Sequence, residues 1–235
     1  MKNLPKIVRF DYNKHLPQSA TDKTSDLFYI LSTLYLAEKT EGNITKLTLE
    51  KTLFTASQEL AYKNYSFLNT FFYINTYGPH NSIIYRYLEE LEKADLIEVE
   101  KNNIYLTPKG LRVMSELTSE VSEDKQLIET LLVIEKTAQD LSEHPSKGVD
   151  ITHSLKVVDT TDNKKVKTIE ELVKEIGPEQ KFKEASQFKY IEPQTTEKIK
   201  KVKVPSRIIN QLETEIANVE ENDFEKRESL QSLFA

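Results

Sequence analysis

Apolar residues recur along the first half of the chain with the spacing that is typical of amphipathic helices. Positions three and four apart are apolar in several segments, which predicts helices joined by short connections. The predicted helices carry these apolar faces: Leu27, Ile30, Leu31 and Leu34; Leu49, Leu53, Ala56 and Leu60; Ile83, Ile84, Tyr87, Leu88 and Leu91; and Leu111, Met114 (or Val113) and Leu117. Hydroxyl side chains that can cap them stand at Thr24 or Ser25, Thr48 and Thr107.

Two segments between these helices have a different pattern. The run Phe67–Ile74 is aromatic and nearly continuously apolar, and its length and flanking residues favour a short buried helix. Pro79 fits the first turn of the helix that follows. Further on, Ile97–Glu100 and Ile104–Leu106 alternate apolar and polar residues across Lys101-Asn102-Asn103, which predicts a two-stranded hairpin.

The order of these elements predicts the fold class. Helices followed by a hairpin and one more helix match a winged helix-turn-helix with a two-stranded wing, a mainly α (α+β) domain, at about residues 24–118. Residues 1–23 are then an N-terminal arm. The remainder, 143–235, is expected to be a helical extension with linkers, since 143–161 and 193–205 contain proline, glycine and mixed polar residues.

One segment after the predicted domain, 119–142, carries a single apolar stripe with spacings of four and three. This stripe covers about two heptads, which is short of the three to four that indicate a coiled coil. The segment is either a dimerisation helix or a helix packed on its own domain. The residues of the stripe are Leu127, Leu131, Ile134, Ala138 and Leu141.

Composition excludes several classes of enzyme. Only five residues are glycine, and no two of them are spaced as a phosphate-binding loop requires. The chain has no cysteine, so disulfides and thiolate chemistry are excluded. None of its four histidines forms a regular metal-binding motif, and no serine has an identifiable base nearby. We therefore expect no enzyme activity, no cofactor and no metal.

No apolar stretch approaches the roughly 18 residues of a membrane span, and Met1–Phe10 lacks the apolar segment of a signal peptide. We therefore expect a cytoplasmic protein that makes no membrane contact. The net charge is −6, yet positive residues are in excess in the N-terminal arm and in the run Lys198–Arg207. This run is either a solvated linker or a basic arm, whose cations are Lys198, Lys200, Lys201, Lys203 and Arg207.

Several short motifs between residues 24 and 118 resemble known families. The segment Tyr77–Ser82, the exit Ala94–Ile97 and the segment Tyr105–Gly110 resemble the Panacea-type antitoxin-like domain, and Lys46–Phe54 is similar to its second helix. The segment Tyr105–Gly110 also resembles the wing exit of PadR-like and MarR-like regulators. The resemblance does not extend beyond residue 118.

The resemblance implies two different functions. PadR-like and MarR-like proteins dimerise and bind operators, so one expectation is a dimeric transcriptional regulator that binds double-stranded DNA. Panacea-type proteins are linked to toxin neutralisation and to defence or mobile-element systems, so the other expectation is an antitoxin or adaptor that binds a protein partner. In that case the acidic helices, which repel phosphate, contact the partner.

A recognition helix at Asn81–Asp95 would place its first residues in the major groove. Arg86 is then suited to guanine and Asn81 to adenine, while the wing contacts the DNA backbone or the minor groove. The predicted DNA-binding residues are His80, Asn81, Ser82, Tyr85, Arg86, Lys101, Asn102, Asn103 and Lys109.

Overall fold

A long helix that is buried on nearly all sides forms the centre of the molecule. In the computed structural model, which describes residues 4–8, 19–39, 44–142, 145–176, 189–192 and 199–217, this helix is α1 (Ala20–Glu38). Its residues from Leu27 to Leu31 are at most 1% exposed. A helix that is apolar all round must be covered all round, and helices from both halves of the chain pack against α1.

The other helices are α2 (Lys46–Tyr62), α3 (Ser82–Lys93), α4 (Pro108–Ser119), α5 (Lys125–Ser142), α6 (Pro145–Ser154), α7 (Ile169–Ile176) and α8 (206–217). The strands are β1 (Lys6–Val8), β2 (Ile44–Thr45), β3 (Tyr65–Ser66), β4 (Tyr73–Asn75), β5 (Gly78–His80), β6 (Ile97–Glu100), β7 (Asn103–Leu106), β8 (Lys156–Asp159), β9 (Lys165–Thr168), β10 (Tyr190–Glu192) and β11 (Lys200–Lys201). None of the helices that the structure describes is both long and apolar enough to cross a membrane.

The predicted hairpin is confirmed, but it is not a free wing. Strands β6 and β7 pair in antiparallel fashion, and β2 adds a third strand on the far side of β7. The hairpin therefore belongs to a three-stranded sheet that connects the start of α2 to the segment between α3 and α4.

Six strands of the described residues form a larger mixed sheet, in the order β5-β4-β10-β1-β8-β9. Only the pair of β1 with β8 is parallel; the other neighbours are antiparallel. The predicted N-terminal arm thus supplies an interior strand, and the predicted C-terminal extension supplies three others. A further small sheet pairs β11 with β3 in parallel.

The predicted fold class is therefore wrong. A winged helix-turn-helix with a two-stranded wing and a helical extension does not describe a chain in which β1 and β10, from residues 6–8 and 190–192, lie side by side in one curled sheet. The prediction failed because the large sheet depends on long-range pairing. Strands β4 and β5 pair locally, as do β8 and β9, but the short strands β1 and β10 join these two hairpins from positions distant in sequence. Within 143–161, for example, the described residues include α6 and β8 rather than only a linker.

Several local predictions were also wrong. Ser19 rather than Thr24 or Ser25 caps α1, and Thr45 rather than Thr48 caps α2. The run Phe67–Ile74 is not a helix, since residues 67–72 are irregular and β4 begins at Tyr73. Pro79 lies in β5 rather than in the first turn of α3, which begins at Ser82. By contrast, Thr107 caps α4, which begins at Pro108, as predicted.

The apolar stripe of α5 packs inside the chain. Leu127, Ile134, Ala138 and Leu141 are at most 1% exposed, and Leu131 packs against the same core. They lie between α5 and its neighbours α1 and α2. The structure thus shows the helix packed on its own domain, and this face is not available to a second copy.

Candidate functional site

Two charged residues that are adjacent in the sequence, Glu50 and Lys51 of α2, are each only 1% exposed. The carboxylate of Glu50 accepts a hydrogen bond through Oε1 from the backbone N–H of Asn81 at 2.8 Å, and the same oxygen lies 2.8 Å from His80 Nδ1. A buried carboxylate must have such partners, because its desolvation is otherwise very costly. Glu50 therefore joins α2 to the segment that starts α3.

Lys51 binds the turn that precedes His80 and Asn81. Its Nζ donates to the carbonyl oxygens of Pro79, at 2.6 Å, and Tyr77, at 3.1 Å, and lies 3.8 Å from Glu50 Oε2. Burial lowers the pKa of Lys51, and the negative charge of Glu50 opposes this effect. Lys51 thus binds the backbone of Tyr77 and Pro79, and Glu50 binds the backbone of Asn81, so α2 fixes the segment between β4 and α3.

Gly78 makes this turn possible. Its φ of +90° lies in the left-handed region, and a Cβ atom at this position would be 2.9 Å from His153 Nε2 of α6. Any other residue would be strained and would also collide with the histidine ring. Glycine is therefore required by both the backbone conformation and the packing of α6.

The side chain of Asn81 is buried and hydrogen-bonded within the protein. It is 2% exposed; its Oδ1 accepts from the backbone N–H of Ile83 at 3.0 Å, and its Nδ2 donates to Thr70 Oγ1 at 2.7 Å. The first bond is an N-cap of α3, which satisfies a backbone donor that the helix leaves free. An amide with these partners is not presented to a base pair.

Other predicted DNA-binding residues are engaged as well. His80 Nδ1 lies 2.8 Å from the carboxylate of Glu50, and the ring of His80 lies 5.3 Å from that of Tyr85, whose pKa is raised by burial. Lys109 Nζ donates to the carbonyl oxygens of Ala94 and of Glu215, each at 3.0 Å, and so ties α4 to α8.

The remaining predicted contacts lie at the surface or close to it. Arg86, Lys101 and Asn102 are exposed, whereas Ser82 and Asn103 are half-buried. Acidic side chains surround the exposed cations. On α3 and the hairpin, the exposed carboxylates belong to Glu89, Glu92, Glu98 and Glu100. The predicted recognition surface is therefore mixed in sign rather than basic.

Some cations of the predicted basic arm are exposed, and others have partners within the protein. Lys198 lies outside the described residues, and Lys200 and Lys203 are exposed. Lys201 turns its ammonium inward to the carbonyl oxygen of Leu68, and Arg207 binds the backbone and side chain of Glu120.

An apolar cleft lies beside the polar cluster. The end of α2, the β3–β11 sheet and the segment 67–72 enclose it, and Thr70, the partner of Asn81, is part of its wall. Phe71 and Ile199 line the cleft and are each 36% exposed, so large apolar surface faces solvent here. The lining residues are Ser57, Gln58, Ala61, Tyr65, Ser66, Phe67, Leu68, Thr70, Phe71, Phe72, Ile191 and Ile199.

Sequence reasoning missed both Glu50 and this cleft. One signal was present: Phe54 lies about 100° from the stripe of Leu49, Leu53 and Leu60 on a helix of 3.6 residues per turn. That offset indicates a helix buried on more than one side, on whose second face Glu50 also lies. The cleft had no local signal, because its wall residues come from distant segments.

Comparisons with protein-family models, with curated proteins and with solved structures find no match to this chain. Within the described part of the chain, no three histidine or carboxylate side chains are grouped as metal ligands. The resemblance to Panacea-type, PadR-like and MarR-like proteins therefore stays a prediction.

Proposed function

We propose that this protein is a protein-binding adaptor, in which the apolar cleft takes an anchor side chain from a partner polypeptide. The observation that carries the proposal is the exposure of Phe71 and Ile199 at the mouth of a cleft whose other lining residues are buried or half-buried. Exposed apolar surface around a concave site is typical of interaction sites. The role is a binding role rather than a catalytic one, in a cytoplasmic protein.

The size of the cleft favours a polypeptide over a metabolite. The enclosed space is about 50 Å³, whereas sites for small molecules commonly measure about 300–1,000 Å³. One large apolar side chain that enters from a partner needs little enclosed space, because the rest of the interface lies on the rim. Such anchors dominate the affinity of many protein interfaces.

Charge on the rim defines the partner further. Exposed Lys200 follows Ile199 directly on β11, and Lys203 is exposed just beyond it. A partner segment that carries carboxylates beside its anchor side chain matches these cations. We therefore expect an acidic segment with one aromatic or large aliphatic residue.

The DNA-binding regulator predicted from the sequence has less support. Of its predicted contacts, Asn81 and Lys109 have partners inside the chain, and the exposed Arg86 and Lys101 stand among carboxylates. Proteins that bind duplex DNA neutralise several phosphates with a concentrated positive surface. This surface lacks such a concentration among the residues that the structure describes.

The test uses short fluorescent peptides with a central Phe, Leu, Trp or Ser, flanked by either Asp or Lys. Fluorescence anisotropy measures affinity, and amide chemical shifts locate the site. We expect the Phe, Leu and Trp peptides with Asp flanks to bind and to move the amide signals of Ser66 and Thr70. Peptides with a central Ser should not bind.

Two variants and a control make this result specific. Ser57→Trp fills the cleft and should abolish binding, while Phe71→Ala removes part of the mouth and should weaken it. Leu132→Ser changes a side chain that is 57% exposed on α5, outside the cleft, and should leave affinity unchanged. Equal affinity of all three variants would overturn the proposal.

A DNA-binding assay tests the alternative function, a transcriptional regulator. Genomic duplex fragments that are retarded at about 50 mM salt, with an affinity that falls steeply by about 200 mM, would support a regulator instead. That result must also depend on Arg86 and Lys101. We expect no retardation at either salt concentration.

A further inference from the structure

A buried carboxylate on α1 holds the wall of the cleft. Asp26 is 1% exposed, and its Oδ1 accepts from both the backbone N–H of Asn69, at 2.8 Å, and Asn69 Nδ2, at 2.9 Å. Asn69 Nδ2 also donates to the carbonyl oxygen of Asp22 at 2.9 Å. The other carboxylate oxygen, Oδ2, has no hydrogen-bond partner among the described residues.

Lys201, which is distant in sequence, binds the neighbouring residue, Leu68. Much of the Lys201 side chain is exposed, yet its ammonium turns inward and donates to the carbonyl oxygen of Leu68. Asp26 and Lys201 thus contact two consecutive residues, Leu68 and Asn69. The chain has no helix or strand at this point, so these contacts help to order it, together with the bond from Asn81 to Thr70 and the backbone bond from Ile191 to Phe72.

The fixed residues belong to the candidate site. Leu68 lines the cleft directly, and Asn69 precedes Thr70 and Phe71, which also line it. A change at Asp26 is therefore transmitted to the cleft wall through one residue. No other part of the wall carries a buried carboxylate among the residues that the structure describes.

We infer that Asp26 and Lys201 form a proton-dependent latch on the segment 67–72, which closes when Asp26 is protonated and loosens when Asp26 ionises. In the closed state the protonated carboxyl group still accepts from Asn69 and carries no buried charge. Ionisation releases the proton to solvent and leaves a charge in the interior. Opening of the segment admits water to that charge and so relieves its desolvation.

The surroundings of Asp26 are consistent with a carboxyl group that changes its protonation state near neutral pH. Burial raises the pKa of Asp26 to about 7, while Asn69 and the charge of Lys201 lower it and Asp22 raises it. Burial also lowers the pKa of Lys201 to about 8, against the charges of Asp26 and Asp22. Tyr29 and Tyr87 face the same carboxylate, and burial raises the pKa of each phenol, so both stay neutral.

Hydrogen exchange of the full chain tests the latch without any ligand. An open state with hydrated Asp26 has an ordinary pKa near 4. Opening should therefore become about tenfold easier for each pH unit between about 5 and 7 and should level off above that range. After correction for the intrinsic exchange rate, amides of 67–72 should lose protection with this slope, whereas amides of the β6–β7 hairpin should not.

Two variants keep the test falsifiable. Asp26→Asn should remove the slope, and Lys201→Gln should move the plateau to higher pH, because it removes the cation that favours ionised Asp26. Glu90→Gln, which changes a half-exposed carboxylate paired with Lys23, is the matched control and should behave as the wild type. The same slope in the wild type and Asp26→Asn would overturn the latch, as would a slope confined to amides that exchange by global unfolding.

The effect on binding rests on the proposed function of the cleft. If the latch orders the wall, the affinity for the Phe peptide should fall between about pH 5 and 7 in the wild type and stay constant in Asp26→Asn. Exchange results as expected without any peptide binding would contradict the proposed function alone. Peptide binding with flat exchange would contradict the latch alone.

Discussion

The Nδ1 atom of His80 lies 2.8 Å from Oε1 of Glu50, a carboxylate whose side chain is 2% exposed. The same oxygen accepts the backbone N–H of Asn81, and the adjacent Lys51 holds the carbonyl oxygen of Pro79. The segment Tyr77–Asn81, which resembles a family motif, is therefore bound by α2 at almost every residue. Its residues build the junction of two helices rather than a free recognition surface.

Replacement of Glu50 should be strongly destabilising. Glu50→Ala leaves the backbone N–H of Asn81 without a partner and removes the carboxylate beside His80 and Lys51, so we expect a loss of about 2–4 kcal/mol in the free energy of unfolding. Urea denaturation measures it. Glu129→Gln, in the exposed pair with Lys63, should cost less than about 1 kcal/mol. Comparable losses in the two variants would show that Glu50 has no special structural role.

Alanine substitutions at Gly78 and Gly148 should change the stability of the protein in opposite directions. Gly78→Ala forces an L residue to a φ of +90° and brings its Cβ to 2.9 Å from His153 Nε2, so we expect a loss of about 1–3 kcal/mol. Gly148→Ala places its Cβ 3.5 Å from Leu141 in ordinary contact inside α6, and should gain up to about 1 kcal/mol. Thermal unfolding compares them, and a destabilised Gly148→Ala would contradict this account of α6.

Asn81 distinguishes a structural role from a DNA-reading role. Asn81→Ala removes the cap of α3 and the bond to Thr70, so we expect a loss of about 2 kcal/mol in stability. Arg86→Ala, at an exposed position of the same helix, should change stability by less than about 0.5 kcal/mol. An Asn81→Ala protein with wild-type stability and weakened binding to duplex DNA would support the DNA-reading role instead.

Much of the local structure was predictable from the sequence. Helical spacing located the apolar faces of α1, α2 and α3, and the alternation around Lys101–Asn103 located the hairpin. Thr168 and Glu171 form a capping box at the start of α7, with hydrogen bonds in both directions, and this motif spans only four residues of sequence. Each of these signals is complete within a few residues, so it does not depend on the rest of the fold.

The large sheet and the site were not predictable in the same way. β1 and β10 have three residues each, and they pair with each other and with β8 and β4 from positions far apart in the sequence. Similarly, His80 and Asn81 were recognised as important, but their partner Glu50 lies on another helix. No local pattern in the sequence indicates that contact between two helices.

Acid should weaken the fold through Asp159, which joins β8 to Lys189 beside β10. Burial alone would raise the pKa of Asp159, yet hydrogen bonds from Lys189 and Thr161 lower it to about 2. Because the pKa is depressed in the folded state, its contribution is present above about pH 4 and is lost as the pH falls through about 2. We expect this contribution to be about 1–2 kcal/mol at pH 7.

The measurement compares Asp159→Asn with the wild type by urea denaturation at several pH values. The variant should be less stable at pH 7 by the amount given above, and the difference should vanish near pH 2, where the wild-type carboxylate is also neutral. Asp150→Asn, which changes an exposed carboxylate on α6, should follow the wild type throughout. A stability difference that stays the same from pH 7 to pH 2 would mean that packing, rather than the charge of Asp159, holds β8 in the sheet.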